Sequence, residues 1–121
     1  MNSLAFLRFL KSFFNRNQNF SFYNNLIKIK RSSYFNEDFY LQNNPDVKAS
    51  GIPAIKHYML YGAYEGRNPS DKFNSKFYLE TYSDVLESGM NPLVHYLKYG
   101  MKENRHAIIP EVSEPLLLSG I

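Results

Sequence analysis

The 121-residue chain has no cysteine and no tryptophan. Without thiols it builds neither a disulfide framework nor a thiolate metal site, and a reducing compartment is allowed. No apolar run approaches the roughly 20 residues that a helix needs to cross a bilayer. There is no G-x-S-x-G nucleophile elbow, no glycine-rich phosphate loop and no H-x-x-x-H metal pair. There is also no D-x-D, the usual acidic motif for a metal-bound nucleotide. Glu103 and Glu111 are eight residues apart, but Pro110 lies between them and no nucleotide-binding context surrounds them. No local catalytic constellation is left, and no cofactor is implied. Acidic residues are missing from one region: residues 1–34 hold Arg8, Lys11, Arg16, Lys28, Lys30 and Arg31 and no Asp or Glu.

That region therefore carries +6, and the rest of the chain −3. The basic character belongs to a leader, so it is no argument for a nucleic-acid partner. At 44% hydrophobic and 21% charged, the chain has the composition of a folded protein rather than a disordered one. Residues 1–14, MNSLAFLRFLKSFF, place Leu4, Leu7, Leu10 and Phe14 on one helical face, widened by Phe6, Phe9 and Phe13. Arg8 and Lys11 lie opposite. The spacing predicts an amphipathic basic helix, either packed on the rest of the protein or, with residues 1–31, touching an anionic membrane surface. Charges inside the apolar stretch argue against a secretory signal. Residues 15–25, NRNQNFSFYNN, are polar and Asn-rich and read as a linker.

Beyond the leader the chain duplicates itself. Residues 35–72 and 73–110 align without a gap at an offset of 38, and 15 positions are identical. Unrelated segments of this composition would share roughly two or three. The organisation is therefore a leader with linker (1–34), a first unit (35–72), a second unit (73–110) and a tail (111–121). Duplications of this length are supersecondary units that bury their apolar faces against copies of themselves.

Each unit reads as short helices. Asn36 and Asn74 are N-caps, and Phe35 with Tyr40, like Phe73 with Tyr78, has the spacing of a hydrophobic staple. Asn44 and Ser83 are expected to cap a second helix, with Pro45 at its first position and Gly51 or Gly89 closing it. A third helix starts at Pro53 or at Asn91-Pro92 and runs to Gly62 or Gly100. The prediction is an all-α fold: a tandem pair of short multi-helix units preceded by an amphipathic basic helix.

The recurring polar and aromatic residues are the candidates for function. His57 and Tyr61 are four apart, as are His95 and Tyr99, and so share a helical face. His57, Tyr58, Tyr61 and Arg67, with their counterparts His95, Tyr96, Tyr99 and Arg105, form the candidate interaction surface. Asp46, Glu65, Asp84 and Glu103 offer oxygen ligands beside the two histidines, but without metal-ligand spacing they read as packing and ion-pair residues. Glu65 with Arg67, and Glu103 with Arg105, are expected to pair within their own units.

The pattern F-[ND]-x-x-[FY]-Y-L-x-x-x-x-D-V-x-x-[SA]-G-x-x-P-x-x-H-Y-x-x-Y-G-x-x-E-G-R resembles tandem units that accompany bacterial glycosyltransferases, including the rhamnan synthesis F-type surface-polysaccharide proteins. The first unit fits it through Phe35, Asn36, Phe39, Tyr40, Leu41, Pro45, Asp46, Val47, Gly51, His57, Tyr58, Tyr61, Gly62, Glu65, Gly66 and Arg67. The second departs at Ser83 and Asn104. The lead-in LIKIKRSSYF is similar too, so the resemblance covers residues 26–106. It implies a non-catalytic interaction module of polysaccharide machinery, at the cytoplasmic face of the inner membrane, with a protein or a polysaccharide as partner. The alternative it implies is an N-terminal piece of a glycosyltransferase whose catalytic domain lies outside this chain. A peripheral membrane-surface protein is the third reading.

Overall fold

The computed structural model describes residues 16–111. The chain is all-α: among the described residues there is no strand, and Ser70 and Phe73 form an isolated bridge. α1 (Arg16–Arg31) comes first. The first unit follows as α2 (Glu37–Asn43), α3 (Pro45–Ser50), α4 (Ala54–Leu60) and a 3-10 turn (Gly62–Glu65). The second unit is α5 (Ser75–Thr81), α6 (Ser83–Ser88) and α7 (Pro92–His95), which continues as a π-helical turn (Tyr96–Gly100). The helix expected over residues 1–14 and the tail from residue 112 lie outside the described residues.

The linker reading of residues 15–25 is wrong from Arg16 onward, because α1 runs through them. Asn24 is exposed and Asn25 half-buried, while Phe22, Leu26 and Ile29 repeat at four- and three-residue spacing along one side. Phe22 packs against the core and Ile29 is fully buried. Burying one such side chain stabilises by about 1.5–3 kcal/mol, which outweighs the modest helix propensity of asparagine, under about 1 kcal/mol per residue. α1 packs against both α4 and α7, so it joins the third helices of the two units.

Helices of four to seven residues do not persist on propensity. Capping and packing hold them. Asn36 Oδ1 accepts from Phe39 N and Asn74 Oδ1 from Phe77 N, each at 2.9 Å. The staple rings meet at 5.9 Å for Phe35 and Tyr40 and 5.2 Å for Phe73 and Tyr78. Gly51 and Gly89 end α3 and α6 in the left-handed conformation, with φ of 77° and 72°.

The second-cap expectation is met at Asn44 in position only, without a side-chain capping bond, and fails at Ser83. Asn44 precedes α3 but turns its amide backward, donating from Nδ2 to the Tyr40 carbonyl at 2.7 Å. Ser83 is already the first residue of α6 and Tyr82 precedes it. Asn91 is a cap the sequence reading missed: its Oδ1 accepts from Leu93 N and Val94 N at 2.9 and 3.2 Å.

The core is built largely from tyrosines. Tyr40, Tyr58, Tyr64 and Tyr78 are almost completely buried, and each hydroxyl is partnered. Two of these bonds cross between units. Tyr58 meets Ser75 Oγ at 2.8 Å, and the Tyr64 hydroxyl donates to the Gly89 carbonyl at 2.7 Å. Among the described residues no buried polar side-chain atom lacks a partner, which fits the steep cost of stranding one in an apolar interior.

Candidate interaction site

The eight candidate residues do not share one environment. Tyr58 and Tyr96 belong to the core, at 0% and 8% exposure, and drop out of the contact surface. Helical spacing placed them beside the histidines; it could not show that α2, α5 and Tyr34 cover them. Tyr96 meets Tyr34 edge-on at 5.4 Å, and burial, with the Tyr34 hydroxyl adding to it, pushes its own hydroxyl up to about 12. The other six form two matching clusters, one per unit.

In the first cluster, Tyr40 on α2 and His57 on α4 join through a hydrogen bond of 2.8 Å between the tyrosine hydroxyl and Nδ1. Burial, and then the Arg67 guanidinium, lowers the His57 pKa, so the ring is neutral near pH 7. Burial raises that of Tyr40, so the hydroxyl keeps its proton. Gly62 makes this fit possible: a Cβ there would overlap the Tyr40 hydroxyl. Tyr61 lies against the outer side of His57 at 5.6 Å between rings and is 40% exposed.

Below this stack lies an arginine clamp. Arg67 donates two bonds to the Asp46 carboxylate, both 2.9 Å, and a third to Asn44 Oδ1 at 3.0 Å. Its Nε lies 3.3 Å from Glu65. The Arg67 hydrogen bonds hold the Asp46 carboxyl below the usual carboxylate range. A bidentate fork of this kind fixes orientation as well as charge.

The second cluster repeats the arrangement. Tyr78 and His95 Nδ1 are 2.8 Å apart, and Tyr99, 50% exposed, lies 5.5 Å from the His95 ring. Burial, and then Arg105, lowers the His95 pKa. A Cβ at Gly100 would overlap the Tyr78 hydroxyl. Arg105 binds both Asp84 oxygens at 2.9 Å and lies 3.1 Å from Glu103. The expected pairings of Glu65 with Arg67 and of Glu103 with Arg105 are therefore present, and the aspartates join them.

The clusters present little that can react. Each histidine ring is tied to a buried hydroxyl, and the four carboxylates considered as metal ligands are held by arginines. Among the described residues no group of three or more His, Cys, Asp or Glu side chains is placed to hold a metal ion. What faces solvent is one tyrosine ring per unit, tilted 51° or 54° against an imidazole and beside fixed charges. Such a ring suits the apolar face of a sugar, or an aromatic-rich protein contact, more than bond-making chemistry.

No helix among the described residues is long and apolar enough to cross a membrane. The chain matches no family model, no curated protein and no solved structure.

Proposed function

We propose that the chain is a non-catalytic helical interaction module of cell-surface polysaccharide machinery, working at the cytoplasmic side of the membrane. It contacts a sugar polymer, or the glycosyltransferase that makes it, through Tyr61 and Tyr99. The observation that carries this reading is the twofold occurrence of an exposed tyrosine on a neutral, rigidly hydrogen-bonded histidine. Arg67 and Arg105 are positioning residues: each is saturated by carboxylates and stiffens the turn that follows its tyrosine. The link to polysaccharide chemistry rests on the resemblance of the duplicated sequence.

The test is binding to bacterial surface polysaccharides arrayed on a solid support, with Tyr61→Ala and Tyr99→Ala singly and together. Loss of binding in the double variant at an unchanged melting temperature supports the reading. Unchanged binding with a lowered melting temperature makes both tyrosines packing residues and removes the proposal.

A further inference from the structure

We infer that the outer face of α1 docks on an anionic lipid surface. The face opposite its packed side carries Phe20, Tyr23 and Ile27, exposed at 75%, 59% and 42%. Their spacing of three and four residues makes one stripe, and Phe22 and Ile29 point the other way into the protein. Lys28, Lys30 and Arg31 fill the last turn. Lys30 and Arg31 flank the stripe on its two sides. Among the described residues none of these three cations has an ion-pair partner.

An apolar stripe between cations is the arrangement that lets rings enter the acyl boundary while basic groups stay among head groups. Beside it lies an open groove of about 470 Å³ lined by Asn24, Ile27, Lys28, Arg31, Ser32 and Leu97. It pairs two apolar side chains with two cations, which is the chemistry of a phosphate head group above its chain. Charge favours the same occupant. Residues 1–34 hold six cations and no acid. Nucleic acid offers no use for Ile27 and Phe20 together. This inference is independent of the sugar-contact reading.

The experiment is co-sedimentation of the full chain with vesicles of neutral phosphatidylcholine alone or with about 30% phosphatidylserine, which gives the vesicle a negative surface potential. Binding to the anionic vesicles only, weakening as salt is raised, is expected. Lys28→Gln, Lys30→Gln and Arg31→Gln combined weaken it about a hundredfold, at roughly fivefold per cation. Phe20→Ser with Ile27→Ser also removes most of it. Both sets leave the packed face intact, so helicity and melting temperature stay unchanged. Tyr61→Ala with Tyr99→Ala leaves vesicle binding unchanged, so the two readings fail separately. The inference is overturned if the anionic vesicles do not sediment the chain. It is equally overturned if the α1 variants bind as well as the parent, or if those variants instead abolish a dimer in solution.

Discussion

The two units hold the same arginine in the same place by different means. In the first, Arg67 is held between the Asp46 carboxylate and the Asn44 amide oxygen. In the second, Tyr82 stands where Asn44 would be, and Arg105 lies over its ring at 4.7 Å while gripping Asp84. The Tyr82 hydroxyl then accepts from His106 N at 2.8 Å. An amide dipole and an aromatic face both attract a guanidinium, so the position is defined by its effect on the arginine and not by residue type. The outward-facing ends differ more. Tyr64 of the first unit is buried and reaches into the second, whereas its counterpart Lys102 is exposed. The first unit is shaped to receive a neighbour on that side, and the second ends in a charge.

Replacing Tyr64 attacks this asymmetry directly and has the largest expected effect. Tyr64→Ala empties a buried site and strands the Gly89 carbonyl, so urea denaturation should show a loss of about 4 kcal/mol. Lys102→Ala should stay within about 0.5 kcal/mol. Equal losses at the two positions would mean that the second unit has a packed neighbour on its outer side as well. Next in size are Gly62→Ala and Gly100→Ala. Each new methyl overlaps a tyrosine hydroxyl whose ring is locked in the core, and each should cost about 2–3 kcal/mol. Here the comparison predicts equality, and a gap of more than about 1 kcal/mol would show that the clusters differ in stiffness.

Much of this was legible from residue order alone. Asn36, Asn74, Phe35 and Phe73 act within four or five residues of their partners, and local spacing is what a sequence displays. The clamp was half legible: the Glu65–Arg67 contact is local, but Asp46 meets Arg67 across 21 residues and needed the turn at Gly51 to bring it round. The histidine pairs were the least legible part. His57 was grouped with Tyr61, its helical neighbour, and the hydroxyl that binds it comes from Tyr40 on another helix. Composition misled at α1, where asparagines concealed an apolar spacing. It misled again at Tyr58 and Tyr96, whose hydroxyls gave no hint that the rings were covered.

The paired histidines also set the response to pH. Their folded pKa values lie below the ordinary 6.5, so the unfolded chain takes up protons first as pH falls. This contribution is therefore complete above about pH 6.5 and declines below it. Asp46 and Asp84 are held below 3.8 by their arginines, so their contribution is present above that pH and is lost in stronger acid. Thermal melts across pH should show two successive declines. His57→Gln or His95→Gln should each remove about half of the first decline and leave the second. A first decline removed wholly by one variant would show that the clusters are not electrostatic equivalents.

The smallest effect separates the two turns that follow the tyrosines. Gly66 has φ of 78°, and at the matching position Asn104 has φ of 59°. Asparagine tolerates this region better than other residues that carry a side chain, so Asn104→Gly should change stability by no more than about 0.5 kcal/mol. The reverse exchange is not its mirror. A Cβ at Gly66 would lie 3.3 Å from Lys76 Cβ on α5, so the junction between units must yield slightly. Gly66→Asn should therefore cost about 1 kcal/mol, read as a lower urea midpoint at unchanged slope. If it proves neutral, Lys76 moves aside freely and the turns are interchangeable. If it costs as expected, the glycine serves the contact between units, and the second turn can carry asparagine because Asn104 is exposed.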